Sequence, residues 1–334
     1  MSQPHDVAYR ARLSRRHRSG LWFEWLCRGA AWGGLGVLAL LLGAIGYRAA
    51  GWVSFDFLLR PNHYEAAEAG MMGGLWGSLW LIGLSTLMSV PVGVGAAVYL
   101  EEYAKSSWLT RQIQLNISNL AGVPSVVYGI LGFTVFVRCF GAFDRPLNLV
   151  LSLGLVEIPF RLPFGAVVLS GAGTLTLLSL PTVIIAAQEA LRAVPPSLRH
   201  ASYALGATKW QTIWHQVLPA AVPGILTGII LSMSRTLGET APLAVLGVAS
   251  QVRFAPGKIT GVADLFSHPE KLLAAPFDRF TAMPLQIYTW VDDPDRQIQD
   301  HVAAAGIVVL LVVLVLMNSV AIFIRQRFQQ KIRW

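Results

Sequence analysis

The chain has 334 residues, of which 54% are hydrophobic and 13% charged, with a formal net charge of +8 and a mean hydropathy of +0.55. Soluble domains carry about 25% charged residues, so a chain with half that proportion and long uncharged runs is excluded from the soluble class. A spanning helix needs about 20 apolar residues, and about six of them with their loops use up this length, which leaves one membrane domain rather than two globular ones.

Taken in chain order, residues 1–28 form a basic tail carrying Arg10, Arg12, Arg15, Arg16, Arg18 and Arg28. Residues 29–50 follow as a first spanning helix, whose apolar run exceeds the roughly 7–15 residues of a signal-peptide core and is therefore retained. The apolar runs lie at Gly29–Tyr47, Ala69–Leu100, Gln112–Val137, Leu162–Gln188, Trp210–Ser234 and Val302–Ile324. The fifth is expected to continue past Arg235 and Glu239 to about Gly247, which puts two charges inside the membrane. Pro146–Phe164 is apolar but carries Glu157, Arg161 and three prolines; it is read as re-entrant or interfacial. The fold class is an all-α polytopic bundle of about six transmembrane helices.

With both termini in the cytoplasm, fifteen basic residues fall in short inner tails and loops and ten in the longer outer ones. The positive-inside rule favours this orientation. The basic tail of residues 1–28 and the basic end of residues 326–334 are then topology determinants facing lipid headgroups, and no nucleic-acid partner is expected.

Several motifs fail. The single Gly-Lys pair, Gly257-Lys258, has Val252 where a phosphate loop needs its first glycine and Ile259 where it needs Ser or Thr. The histidines are scattered without metal-ligand spacing, so no metal site and no catalytic residue is assigned. Cys27 and Cys139 fall at opposite ends of successive apolar segments, and no disulfide is expected between them. Glycines spaced by four, at Gly29/Gly33, Gly70/Gly74, Gly73/Gly77 and Gly224/Gly228, support close helix packing.

The segment 189–219 is unlike the rest. Pro195-Pro196 starts a helix with Leu198, Ala201 and Leu205 on one face, Gly206 breaks it, and a second amphipathic turn through Trp210, Ile213, Trp214 and Val217 leads to Pro219. An amphipathic loop lying on the membrane would show the same pattern. The segment also resembles the EAA loop of ABC importer permeases: His200-Ala201-Ser202 takes the E-A-A place, Gly206 the glycine, and Leu218-Pro219 the end, while His200, Ser202 and Gln216 depart from the consensus.

The resemblance narrows downstream. Gly224 to Leu243, containing Arg235-Thr-Leu-Gly-Glu239-Thr-Ala-Pro242, is similar to the fifth span of phosphate importer permeases, and Val123 to Gly129 and Ala282 to Tyr288 fit the same family. Over residues 70–325 the chain resembles their A-type subunit, a type I ABC importer permease. That resemblance implies a homologous C-type permease subunit, a dimer of ATPase subunits that hold the ATP and Mg, and a periplasmic phosphate-binding protein as partners, in a bacterial cytoplasmic membrane. No cofactor is expected on this chain. Arg199, His200, Ala201, Ser202, Gly206, Leu218 and Pro219 would contact the ATPase.

For the substrate path the expected residues are Arg235, Glu239, Ser232 and Ser125. A charge within the bilayer costs at least about 2.5 kcal/mol, so Arg235 should face a cavity or a partner. Glu239 at i+4 and Ser232 at i−3 share its helix face, and a guanidinium offers hydrogen bonds to an oxyanion. A structural ion pair bracing two helices is the alternative for Arg235 and Glu239, and hydrogen bonding across the bundle the alternative for Ser125. Other oxyanions (sulfate, molybdate, tungstate) and a secondary transporter are the competing functions.

Overall fold

The computed structural model describes residues 4–139, 165–248, 255–258, 271 and 274–331. These residues form helices joined by turns, and among them the one β pairing is a bridge between Val167 and Arg279. The re-entrant or interfacial segment expected at Pro146–Phe164 lies outside the described residues.

Helix α1 (Pro4–Ala49) runs through both the expected tail and the first span. Its spanning part, Gly20–Ala49, has no buried residue in its most apolar window, and Gly29 and Gly33 have open space around them. It is a peripheral helix, apolar all round as a helix in lipid is. After the short α2 (Phe55–Leu59), capped by Ser54, comes α3 (Met72–Val98), which a π-turn extends through Tyr103.

The third expected span is broken. Helices α4 (Trp108–Ala121) and α5 (Ser125–Gly132, extended by a π-turn to Cys139) meet at 104°. Gly122 closes α4, and Pro124 lacks the N–H needed to carry the helix on and holds the preceding residue out of the α region. Counting this pair as one span, six candidate spans are present among the described residues.

Helix α6 (Val168–Arg192) is the hub, packing against α3, α4, α5 and the fifth-span helix α9; 72% of its most apolar window is buried. The buried threonine hydroxyls bond back to their own helix, Thr174 Oγ1 donating to the Ser170 carbonyl and Thr176 Oγ1 to that of Ala172. That keeps polar groups satisfied where water is absent.

Beyond α6 lie α7 (Pro196–Ala204) and α8 (Lys209–Thr212), which a π-turn joins to α9 (Leu218–Gly238). Gly224 and Gly228 of α9 press against Ala190 and Ala186 of α6 so closely that an added Cβ would overlap them. The small-residue spacing read from the sequence thus acts at this crossing. Short α10 (Ala241–Val245) follows, then α11 (Met283–Val291) and α12 (Ala303–Lys331), the last packed on α1, α9 and α11. Cys27 and Cys139 are free and exposed.

Candidate functional site

At one end of the bundle the chain leaves α6 at Ala193, and Pro195-Pro196 starts α7 with a proline at N1, where the missing N–H costs nothing. Gly206 takes φ +82°, a conformation that side chains disfavour. Thr208 then opens α8 with a reciprocal cap: Gln211 N–H donates to Thr208 Oγ1 (3.3 Å) and Thr208 N–H to Gln211 Oε1 (2.9 Å).

The two short helices are tied by a 2.9 Å hydrogen bond between Ser202 and Thr212 hydroxyls, and Thr212, Ile213 and Val217 are buried as anchors. Leu205 (88% exposed), Trp210 and Trp214 remain outside, the two indoles stacked with centroids 5.5 Å apart. His200 and Ala201 are also exposed. An open groove of about 420 Å³ runs between α7 and α8, floored by Ala201, Ser202 and Gln211.

Pro219 does not interrupt the chain. One helical run extends from Lys209 to Gly238, and the π-turn Ile213–Val217, in which Leu218 N–H reaches the Ile213 carbonyl, absorbs the missing proline N–H.

Arg199 differs from its neighbours in the loop. It faces inward, its Nη2 2.7 Å and Nε 3.1 Å from Glu102 Oε1, and it also donates to the carbonyls of Val194 (2.8 Å) and Leu191 (3.0 Å). Beside it, Arg192 Nε lies 2.9 Å from Glu101. The sequence reading missed both glutamates. Their signal was two adjacent carboxylates closing the second apolar run, with basic residues of the loop as available counter-charges.

The second group of expected residues lies at the far end of α9. The expected continuation of this span to Gly247 is corrected: α9 ends at Gly238, Glu239 is its extended C-cap (φ −79°, ψ 109°), and Pro242 sits in the first turn of α10. Glycine followed by a nearby proline stops the helix. Arg235 is therefore in the last turn of α9, where a cation suits the helix dipole. Its Nε lies 3.3 Å from Glu239 Oε1, with the arginine side chain 48% and the glutamate 17% exposed.

Ser232 is separated from that pair. It is buried with Ser85, Ser89, Ser179 and Thr236 around a void of about 10 Å³, a hydroxyl-lined seam between α3, α6 and α9. Ser125 is the half-buried first residue of α5. Near it, Tyr128 bridges the bend by donating to the Leu120 carbonyl (2.8 Å) and lies in the field of the Arg235 charge. Gly129 packs so tightly on Pro242 that no Cβ fits. The break in the third span and the end of the fifth are thus brought together, a link that sequence spacing does not reveal.

Although the histidines lack ligand spacing in the sequence, one turn places donor atoms of His63, Glu65 and Glu68 within 4.8 Å of one another. There the Glu65 N–H already donates to His63 Nδ1 (3.2 Å), so the turn satisfies itself.

A sequence model of the binding-protein-dependent transport system inner membrane component matches residues 89–334. The chain is 33% identical to phosphate transport system permease protein PstA 1 of Mycobacterium tuberculosis (strain ATCC 25618 / H37Rv) over 276 residues, 82% of this chain and 75% of that one. It is 32% identical to phosphate transport system permease protein PstC of Xylella fastidiosa (strain 9a5c) over 211 residues, 62% of this chain and 64% of that one. The crystal structure of a bacterial ABC transporter involved in the import of the acidic polysaccharide alginate shares the fold, with a TM-score of 0.55 at 18% identity, covering 95% of this chain and 99% of that one. With its multi-pass bundle and helix–glycine–helix loop, the chain belongs to the inner membrane components of binding-protein-dependent transport systems and has the fold of an ABC importer permease.

Proposed function

We propose that this chain is the A-type permease subunit of an importer that moves inorganic phosphate by alternating access. The observation that carries the reading is the identity, 33% over 82% of the chain, to a phosphate transport permease. The exposed guanidinium of Arg235, steadied by Glu239, is the group on this chain suited to meet an oxyanion. The chain works with a homologous C-type subunit, a dimer of ATPases and a periplasmic phosphate-binding protein. ATP and Mg are held on the ATPases, and this chain has no cofactor and no catalytic activity of its own.

Both termini lie in the cytoplasm, which puts the groove of α7 and α8 on the ATPase side. His200, Ala201, Ser202 and Gly206, with the exposed ridge of Leu205, Trp210 and Trp214, form the docking surface. Leu218 and Pro219 carry its motion into α9, and Arg199 holds its base. In the path, Arg235 contacts the anion and Glu239 holds the guanidinium while keeping affinity low enough for release. Ser232 belongs to the path through the hydroxyl-lined seam between α3, α6 and α9, and Ser125 through the bend of the third span.

The test is uptake of radiolabelled phosphate by phosphate-starved cells lacking this chain, complemented with wild type or Arg235→Gln, with sulfate and molybdate uptake as controls. Selective loss of phosphate uptake, restored by wild type alone, supports the assignment. Loss of sulfate or molybdate uptake instead would transfer it to another oxyanion.

A further inference from the structure

A cleft larger than the groove of α7 and α8 opens at the same end of the bundle. It lies between the end of α3, the turn 104–107, the first two turns of α4 and Arg192, with a volume of about 550 Å³. That is within the roughly 300–1,000 Å³ of small-ligand pockets. It opens at the same end as the loop, since Glu101 and Glu102 at its edge pair with Arg192 and Arg199.

Its charge is unbalanced. Arg192 is neutralised by Glu101 and Glu189, whereas Lys105 and Arg111, both exposed, take part in no ion pair among the described residues. Two uncompensated cations therefore face the cleft. The N-terminus of the 14-residue α4, capped by Ser107 and without an acidic residue in its first turn, adds the positive end of a helix dipole. Apolar groups line it too, Leu100, Ala104 and the 75% exposed Trp108, and on the adjoining face of α4 Leu109 and Ile113 are 62% and 39% exposed.

We propose that this cleft holds the phosphodiester of an anionic phospholipid from the inner leaflet. Lys105 and Arg111 bind the phosphate oxygens, and the indole of Trp108 sits at headgroup level while Leu109 and Ile113 meet the acyl chains. A free phosphate ion would use the same cations but has no use for the exposed indole of Trp108 in the cleft or for the exposed apolar side chains next to it on α4, which is what favours the lipid. The placement rests on the cytoplasmic orientation proposed above.

Native mass spectrometry of the full-length chain, titrated separately with phosphatidylglycerol, phosphatidylcholine and inorganic phosphate, tests it. Wild type should prefer phosphatidylglycerol. Lys105→Gln and Arg111→Gln should each weaken that lipid about fivefold, and the double variant should lose the preference. Trp108→Ala should weaken both lipids, Arg111→Lys should retain the preference, and Arg28→Gln, whose guanidinium pairs with Glu24 on α1, should behave as wild type. An undiminished preference in both single variants would overturn the proposal. So would displacement of the lipid by millimolar inorganic phosphate, which makes the cleft a free-anion pocket, or expulsion of the lipid on adding the ATPase subunits, which makes it part of their docking face. Lipid binding is read without transport, so its failure is distinct from failure of the phosphate assignment.

Discussion

Arg199 and Glu102, 97 positions apart in the chain, pair at 2.7 Å with 19% and 8% of their side chains exposed. Because the same guanidinium also takes the carbonyls of Leu191 and Val194, one side chain joins the end of α3, the end of α6 and the start of α7. A displacement of α7 is therefore passed to two spans at once. Removing one partner of a mostly buried pair leaves an uncompensated charge, at a cost of about 3 kcal/mol or more. Arg199→Ala and Glu102→Ala should each insert into the membrane yet lose most phosphate uptake, and ATP hydrolysis by the assembled transporter should no longer respond to the binding protein. Wild-type coupling in both variants would remove the clamp from the mechanism.

Gly206 has a positive φ but open space where a Cβ would stand. Its requirement is therefore conformational within the chain, and any steric requirement must come from the docked partner. Asparagine tolerates the left-handed region, while a β-branched residue does not. Gly206→Asn should keep most uptake and Gly206→Val lose most of it, both at normal expression. Equal loss in the two would point to crowding by the ATPase instead.

The Arg235–Glu239 pair distinguishes a path residue from a brace by charge exchange. If the guanidinium meets the anion, Arg235→Glu with Glu239→Arg should leave uptake near background, and Arg235→Lys should raise the apparent KM, since a point charge replaces a bidentate fork. Full uptake in the exchanged variant would make the pair structural.

Packing gives a prediction independent of transport. A Cβ on Gly77 would overlap the Thr281 carbonyl, and one on Gly228 would overlap the Ala186 methyl. Overpacking costs about 1–3 kcal/mol. Gly77→Ala and Gly228→Ala should therefore each lower the thermal unfolding midpoint of the purified protein, since neither a backbone carbonyl nor an alanine methyl can rotate away. Gly33→Ala, in open space on α1, should not.

The sequence by itself determined the class of molecule, the helix–glycine–helix loop and the i, i+4 pair at Arg235 and Glu239. These follow from local rules: apolar runs long enough to cross lipid, proline and glycine as punctuation, and the helical repeat. Local rules also located the six spans while misplacing their ends, because Pro124 bends the third and the Gly238–Pro242 stretch stops the fifth, and an apolar composition continues through both. Only the tertiary structure decided that Glu102 is the partner of Arg199, that Ser232 turns into a buried seam away from Arg235, and that Tyr128 approaches the end of α9. Partners of that kind are set by which helix faces meet across the bundle, and no periodicity within one helix encodes the face of another.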